Sequence, residues 1–154
     1  MNIFNIESTF VMKKERGWNT IYVMVDLHGT IIPSGKTVND IEDQTEFYPH
    51  AKEVLQRLSI RNDMVLILWS SIPKNRAVKV LSWLNSHEIN FKYFNENPEA
   101  KSTARSEFSG KFYFNIALDD RAGFDPMIDW KNIKDELIRL GEWELTDSNS
   151  CVKI

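Results

Sequence analysis

Three aspartates follow apolar segments that have the pattern of buried β-strands. Asp26 comes directly after residues 21–25, and the pair Asp119-Asp120 comes directly after residues 112–118. Continuous apolar runs of this length are typical of strands in a parallel sheet, and functional sites lie beyond the carboxyl ends of such strands. We therefore expect the three carboxylates to converge at one edge. Clustered carboxylates repel one another and favour a hard cation with oxygen ligands, and Mg²⁺ is the cation we expect.

Hydrogen-bond donors are predicted at the same edge of the sheet. Ser70 and Ser71 follow the apolar run 64–69, and Lys111 lies just before the fourth predicted strand. A carboxylate beside Mg²⁺ can attack phosphorus and form an aspartyl-phosphate that water later hydrolyses. The transferred group is anionic, so it needs donors around it. We expect the Ser70 hydroxyl, the Lys111 ammonium group and backbone N–H groups of residues 27–30 to supply them, while Ser71 either binds substrate or caps the next helix.

Four segments together resemble the motifs of haloacid dehalogenase (HAD) superfamily phosphatases. Residues 23–30, Val-Met-Val-Asp-Leu-His-Gly-Thr, resemble motif one, in which an apolar strand precedes Asp-x-Asp-Gly-Thr. Residues 66–70, Leu-Ile-Leu-Trp-Ser, resemble motif two, a strand that ends in serine or threonine. Lys111 is the best candidate for the motif-three lysine, and residues 116–121, Ile-Ala-Leu-Asp-Asp-Arg, resemble motif four. The resemblance covers roughly residues 20–140.

The resemblance implies a Rossmann-like α/β fold, a three-layer αβα sandwich around a mostly parallel sheet with the first strand in its centre. It also implies a magnesium-dependent phosphohydrolase that acts on a phosphate monoester through an aspartyl-phosphate. The implied catalytic residues are Asp26, His28, Ser70 and Lys111. The implied Mg²⁺ ligands are the Asp26 carboxylate, the backbone carbonyl of His28, and one or both of Asp119 and Asp120. The implied substrate-binding residues are Gly29, Thr30, Ser71 and Arg121.

His28 is the departure from this resemblance. Most phosphatases of the superfamily carry a second aspartate at this position, which protonates the leaving group and then activates water. A histidine can carry out both proton transfers near neutral pH, but it does not supply the same negative charge. The sequence therefore leaves two functions open. One is a working phosphatase, and the other is a non-catalytic or weakly active domain that binds a phosphate-bearing ligand or partner with the same loops.

The rest of the chain alternates strands with amphipathic helices. Helices are predicted from Pro49 to about residue 58, from Pro73 to about residue 88 and over residues 129–140, with a short third strand at residues 91–94. This alternation indicates a parallel sheet covered on both faces. We predict an N-terminal extension over residues 1–17 that could add a short strand or hairpin, one domain over residues 18–145 and a tail over residues 146–154. Three tryptophans are expected to pack inside: Trp69, Trp83 and Trp130.

Neither interval that could hold a substrate-selecting cap is long enough to fold as a separate domain. The first runs from residue 31 to 49 and the second from 95 to 110. By resemblance to capless family members, the substrate is a phosphorylated small molecule, a nucleotide or a phosphorylated macromolecule, and a second copy of the chain could close the site in a homo-oligomer. A small flap is expected after Thr30, and three loop residues are candidates for substrate contact: Asn95, Asn97 and Arg105.

Composition excludes several classes of protein. The chain has 154 residues, a net charge of −3 and one cysteine, Cys151, which fits one domain without an intramolecular disulfide. A mildly acidic chain lacks the positive field of a general nucleic-acid binder. The N-terminal residues lack the apolar core of a signal peptide, and no window reaches the length of a membrane span. We therefore expect a cytoplasmic protein without a membrane partner.

Overall fold

The computed structural model describes residues 2–34, 46–108 and 110–144. Within these residues, a sheet of four parallel strands has the order β3-β2-β1-β4. The strands are β1 (Ile21–Asp26), β2 (Met64–Trp69), β3 (Tyr93–Phe94) and β4 (Ile116–Leu118). The helices are α1 (Ile6–Arg16), α2 (Ala51–Ser59), α3 (Lys74–Ser86) and α4 (Asp129–Arg139). Helices that flank an all-parallel sheet confirm the predicted α/β class and the Rossmann-like three-layer sandwich.

The register of the sheet brings the predicted functional residues to one level. β1 lies between β2 and β4, with Asp26 opposite Trp69 and with Leu118 opposite the residue before Asp26. Ser70 and Asp119, which follow those two partners, therefore leave the sheet beside the end of β1. The direction in which the chain adds strands also changes at β1: β2 and then β3 lie on one side of β1, and β4 lies on the other. In parallel α/β sheets, ligands bind beyond the strand ends at such a point.

Apolar side chains at helical spacing hold α2 and α4 against the sheet. The inward residues of α2 are those that the period of 3.6 predicts: Ala51, Val54, Leu55 and Leu58. In α4, Ile133 and Leu137 are buried in the same way, and α4 packs against α2. Both helices share one core with the apolar side chains of β1, β2 and β4. This core fixes the strand ends from which the candidate site is built.

A buried ion cluster joins the loop before β2 to the residues after α4. Arg61 is 1% exposed, and its guanidinium donates to the Asp63 carboxylate at 2.8 and 2.9 Å and to the Glu142 carbonyl oxygen at 2.6 Å. Burial opposes ionisation of Asp63, but hydrogen bonds and charge from Arg61 outweigh it, so the pKa of Asp63 is lowered. The buried guanidinium is therefore paired, which is the condition for tolerating a charge in an interior.

The N-terminal segment differs from the prediction of a strand or hairpin. Residues 6–16 form α1, which ends at Gly17 in the left-handed conformation with a φ of +67°. Ile6 lies in the core, whereas Val11 is 48% exposed. Because the apolar residues of α1 do not form one stripe, the sequence carries no clear helical period there.

The last two strands are shorter than predicted. β3 begins at Tyr93 and β4 at Ile116, so residues 112–115 do not extend the sheet. The aromatic residues of that segment instead contact other rings: Phe112 contacts Trp69, and Tyr113 contacts Tyr22 and Phe108. This aromatic segment therefore has the apolar pattern of a strand, but its side chains pack against other rings and its backbone does not join the sheet.

Some expectations fall outside the described residues. The predicted flap after Thr30 falls largely on residues 35–45, and the predicted tail, residues 146–154, includes Cys151. Among the residues that the structure does describe, no helix is long and apolar enough to cross a membrane.

Candidate active site

Three aspartates meet at the carboxyl end of β1. Asp26 is the last residue of β1, Asp119 follows β4, and Asp120 begins a short 3-10 helix, Asp120–Ala122. One carboxylate oxygen from each lies within 4.8 Å of the others. Asp26 and Asp119 are half-buried, and Asp120 is exposed. The predicted convergence of this carboxylate cluster is therefore confirmed.

The cluster disfavours the ionised form of its central member. Burial, a hydrogen bond with the Asp120 side chain and the negative charge of Asp119 raise the pKa of Asp26 from 3.8 to about 7. A divalent cation between the carboxylates would relieve this repulsion. The ligand atoms of the three aspartates are all hard oxygens, so this carboxylate set fits Mg²⁺ or Ca²⁺ better than it fits a thiolate-binding metal.

Thr30 ties the loop after β1 to two of the three carboxylates. Its buried hydroxyl lies 3.2 Å from Oδ2 of Asp26 and 3.3 Å from Oδ1 of Asp120, and it accepts a hydrogen bond from the Asp120 backbone N–H at 3.1 Å. The Thr30 carbonyl oxygen accepts a hydrogen bond from the indole Nε1 of Trp130 at 2.8 Å. Because Trp130 is fully buried in α4, the core fixes the position of this loop.

Gly29 allows the loop to approach Asp120 closely. Its φ of +83° is a conformation that side chains disfavour. A Cβ atom at this position would lie 2.8 Å from Oδ2 of Asp120 and 3.0 Å from Oγ of Ser34. Glycine is therefore required here for both its backbone conformation and the space beside the carboxylate cluster.

The carboxylate cluster lines a cavity of about 290 Å³, here called the carboxylate pocket. Its lining residues are Asp26, His28, Ser34, Trp69, Ser70, Ser71, Asp119, Asp120 and Arg121. The predicted residues His28, Ser70, Ser71 and Arg121 are thus brought together with the three aspartates. Gly29 and Thr30, which were predicted to bind substrate, do not line the carboxylate pocket; they support the cluster through the contacts described above.

Ser70 and Ser71 both line the carboxylate pocket, and neither is the N-cap of α3. The Ser70 hydroxyl oxygen accepts a hydrogen bond from the Ile72 backbone N–H at 3.3 Å, which leaves its own proton free to be donated. α3 has Pro73 at its N-cap without a side-chain hydrogen bond, so the expected capping by Ser71 is wrong. Asn95 forms two hydrogen bonds with the Ser70 backbone, at 2.8 and 2.6 Å. It positions Ser70, whereas the sequence suggested a substrate contact.

His28 and Arg121 provide the nitrogen groups of the carboxylate pocket. Arg121 is exposed, and its backbone N–H donates to Oδ1 of Asp119 at 2.9 Å. The Nε2 atom of His28 is buried and has no hydrogen-bond partner within the described residues. A buried nitrogen without a partner costs free energy, so such atoms in native structures call for a bound water, ion or ligand group.

Lys111 departs from the predicted arrangement. It lines a second cavity next to the carboxylate pocket and is not among the residues around the three aspartates. The chain enters the sheet only at Ile116, and the rings of Phe112 and Tyr113 contact Trp69 and Tyr22, so an irregular segment and not a strand sets the position of Lys111. Arg121 is therefore the cationic side chain that the described residues place in the carboxylate pocket.

Two tryptophans contribute more than the sequence indicated. Trp69 was expected to be packed inside, but it is 37% exposed and lines the carboxylate pocket. Its position at the carboxyl end of β2, directly before Ser70, is the signal that could have placed it at the site. Trp130 is buried as expected, but nothing in the sequence pairs its indole N–H with the Thr30 carbonyl.

Comparison with known proteins supports the fold. No protein-family model and no curated protein matches this chain. Among solved structures, the chain is similar to a conserved protein from Bacteroides thetaiotaomicron, with 24% sequence identity and a TM-score of 0.56. The alignment covers 88% of this chain and 100% of the other. A likeness at this level of identity shows a shared fold, so any functional assignment must come from the chemistry of the carboxylate pocket.

Proposed function

We propose that this protein is a magnesium-dependent phosphohydrolase that acts on a phosphate monoester through an aspartyl-phosphate on Asp26. The observation that carries the proposal is the meeting of three carboxylates, within 4.8 Å of one another, in a pocket that also holds hydroxyl, imidazole and guanidinium groups. The carboxylates fit a cation, and the donors beside them fit an anion bound together with it. The motif resemblance to HAD phosphatases supports the same assignment.

The metal ligands in this proposal are Asp26, Asp119 and Asp120, with the backbone carbonyl of residue 28 as a fourth candidate. When bound, Mg²⁺ supplies positive charge that offsets the carboxylates and the phosphate oxygens. The raised pKa of Asp26 supports a cation here, because burial and the neighbouring acidic groups otherwise favour its protonated form, which is a poor nucleophile.

The proposed reaction has two steps. A carboxylate oxygen of Asp26 attacks phosphorus, the bond between phosphorus and the ester oxygen breaks, and that oxygen takes a proton from His28. A water molecule then gives a proton to His28 while its oxygen attacks phosphorus, which releases inorganic phosphate and restores the Asp26 carboxylate. Ser70 and Arg121 donate hydrogen bonds to the phosphoryl oxygens throughout.

Hydrolysis of p-nitrophenyl phosphate with and without Mg²⁺ tests this proposal. We expect Mg²⁺-dependent turnover that falls by at least about a thousandfold in Asp26→Asn, as expected when a nucleophile is removed. Asp135→Asn is the matched control, since the exposed carboxylate of Asp135 pairs with Lys131 away from the pocket, and it should keep full activity. Turnover that survives Asp26→Asn would contradict the nucleophile assignment.

A second candidate function is favoured by one observation, the histidine at position 28. A domain that only binds a phosphate-bearing ligand needs the cation and the donors but no proton transfer. His28→Asn separates the two functions. If His28 is the acid and base, hydrolysis should fall by about 10²–10⁴-fold, with Mg²⁺ binding retained in calorimetry. Unchanged hydrolysis would end that role, and Mg²⁺-dependent phosphate binding without any wild-type turnover would favour the binding domain.

A further inference from the structure

A second cavity opens beside the carboxylate pocket, at the carboxyl ends of β2 and β3. We call it the aromatic pocket. Trp69 lines both cavities, so they meet at its side chain. The aromatic pocket has a volume of about 360 Å³, which lies within the roughly 300–1,000 Å³ of small-molecule sites. A phosphate ester whose phosphate lies at the carboxylate cluster can therefore extend past Trp69 into it.

Four aromatic side chains line this pocket together with polar residues: Trp69, Phe108, Phe112 and Tyr113. The rings of Trp69 and Phe112 are 5.2 Å apart with an interplanar angle of 48°, and those of Phe108 and Tyr113 are 5.0 Å apart in an edge contact. Trp69 keeps 37% of its surface exposed at the end of an otherwise buried strand. Aromatic faces left open beside a site provide a stacking surface for a planar ring.

Hydrogen bonds fix the loop that follows β3, whose residues 95–98 line the aromatic pocket opposite the aromatic segment. The Glu99 carboxylate accepts hydrogen bonds from the hydroxyl groups of Tyr93 at 2.6 Å and Tyr22 at 3.3 Å. The Asn97 side chain donates to the Tyr113 carbonyl oxygen at 3.0 Å. These contacts attach the loop to two strands and to the aromatic segment. The pocket is thus formed before any ligand binds, which lowers the entropy cost of binding.

Two charged side chains in the aromatic pocket remain available to a ligand. Among the residues that the structure describes, neither Glu96 nor Lys111 forms an ion pair with another side chain, and both line the cavity. Glu96 offers acceptors and Lys111 offers donors. A hydrocarbon ring would use neither group. A nucleobase carries both amino donors and ring acceptors on a planar aromatic frame, so it matches the donor, the acceptor and the stacking surface together.

We propose that the aromatic pocket binds the base of a phosphorylated nucleoside whose phosphate lies at Asp26. This inference rests on the proposed phosphohydrolase function and names the substrate class of the same site. Trp69 stands between the two parts of the ligand, and Phe112 and Lys111 contact the base. The same chemistry occurs in a free nucleoside monophosphate and at the phosphorylated end of an oligonucleotide.

Hydrolysis of two esters by the full chain with Mg²⁺ tests the proposal. We expect Phe112→Leu to lower the ratio of kcat/KM for adenosine 5′-monophosphate to that for glycerol 3-phosphate by about tenfold, the effect of one lost stacking contact. Phe114→Leu is the control: it makes the same change at an exposed ring that contacts Phe112, at 6.2 Å between ring centroids, but does not line the pocket, so it also shows the effect of losing a neighbour of Phe112. An unchanged ratio in Phe112→Leu overturns the proposal. A 5′-phosphorylated trinucleotide shows whether the source is a free nucleotide or a nucleic-acid end, and hydrolysis of either supports it.

Binding of adenosine, which has no phosphate, tests the aromatic pocket without hydrolysis. Titration followed by NMR should show saturable binding to the wild-type protein that is about tenfold weaker in Phe112→Leu and unchanged in Phe114→Leu. Urea midpoints of both variants check that the fold is kept. Hydrolysis of both esters without adenosine binding overturns the base pocket and leaves the phosphohydrolase function standing. Adenosine binding without hydrolysis of either ester supports the base pocket and contradicts the phosphohydrolase function.

Discussion

Replacing the Asp26 carboxylate with a neutral amide should stabilise the protein, even though Asp26 is the proposed nucleophile. Burial, the hydrogen bond with Asp120 and the charge of Asp119 raise its pKa from 3.8 to about 7. At pH 8 without a divalent cation, the folded protein therefore holds an ionised carboxylate that its surroundings disfavour. Asp26→Asn keeps the shape of the side chain and removes this charge, so the folded state should gain stability.

The expected gain follows from the two pKa values. The unfolded chain releases the proton of this carboxyl group near pH 3.8 and the folded protein near pH 7. The stabilising contribution of Asp26 is therefore complete below pH 3.8 and is lost as the pH rises to 7. That interval corresponds to about 4 kcal/mol at about 1.4 kcal/mol per pH unit. Because Asp26 is only half-buried, screening by solvent reduces the effect, and we expect Asp26→Asn to gain about 2 kcal/mol at pH 8 and less than half of that at pH 5.

Urea unfolding at both pH values in EDTA measures this difference, with Asp135→Asn as a control that should behave like the wild-type protein. Addition of Mg²⁺ should stabilise the wild-type protein more than Asp26→Asn, because only the wild-type protein retains all three carboxylates for the ion. Equal unfolding of the wild-type protein and Asp26→Asn at pH 8 in EDTA would refute the reasoning. The three carboxylates would then not repel one another enough to require a cation.

Three further predictions test contacts that support the site or the core. Gly29→Ala and Gly123→Ala should each cost about 1 kcal/mol in urea unfolding because both glycines have a positive φ, but only Gly29→Ala should weaken Mg²⁺ binding in calorimetry, because its Cβ displaces the Asp120 carboxylate. The Trp130 indole N–H donates to the Thr30 carbonyl oxygen, whereas the Trp83 indole N–H has no partner within the described residues. Trp130→Phe should therefore cost about 1–3 kcal/mol more than Trp83→Phe in urea unfolding. It should also weaken Mg²⁺ binding, because the Thr30 hydroxyl contacts Asp26 and Asp120. Asp63→Asn should cost about 3 kcal/mol at pH 7 in urea unfolding; the lowered pKa of Asp63 means that this cost shrinks as the pH falls and the wild-type carboxylate is protonated.

The strand-end residues could be predicted because periodic apolar runs define both a strand and the point where it ends. The runs before Asp26 and Ser70 predicted β1 and β2 to within one residue. The helices between the runs required parallel strands, and parallel strands place their carboxyl ends together. Convergence of Asp26 with Asp119 and Asp120 required the further assumption that the last strand is also parallel to β1, although no helix is predicted between it and the third strand, and the pairing of β1 with β4 is parallel. The same reasoning placed Ser70 at this edge, and the resemblance to motif four added Arg121; both line the carboxylate pocket.

Residues in irregular segments could not be placed in this way. Lys111 lies in the aromatic pocket because residues 112–115 contact neighbouring rings and do not extend β4. The aromatic residues of that segment have high strand propensity, so sequence alone favours the wrong element. Asn95 resembled a free loop residue, yet both ends of its carboxamide bind the Ser70 backbone. Such contacts join residues distant in the chain and have no periodic signature.

In the proposed site, the residues that could be predicted from the sequence have different functions from those that could not be predicted. The carboxylate cluster depends on the sheet register and on the Thr30 hydroxyl, which contacts both Asp26 and Asp120. In our proposal, recognition of the leaving group depends on residues 95–108 and 110–113, which Glu99 and the tyrosines attach to the sheet. Loss of the Thr30 contacts should therefore impair hydrolysis of every ester alike. Changes within residues 95–108 and 110–113 should alter which ester is preferred while the three carboxylates keep their positions, because Trp69 is the only one of the described residues that lines both pockets.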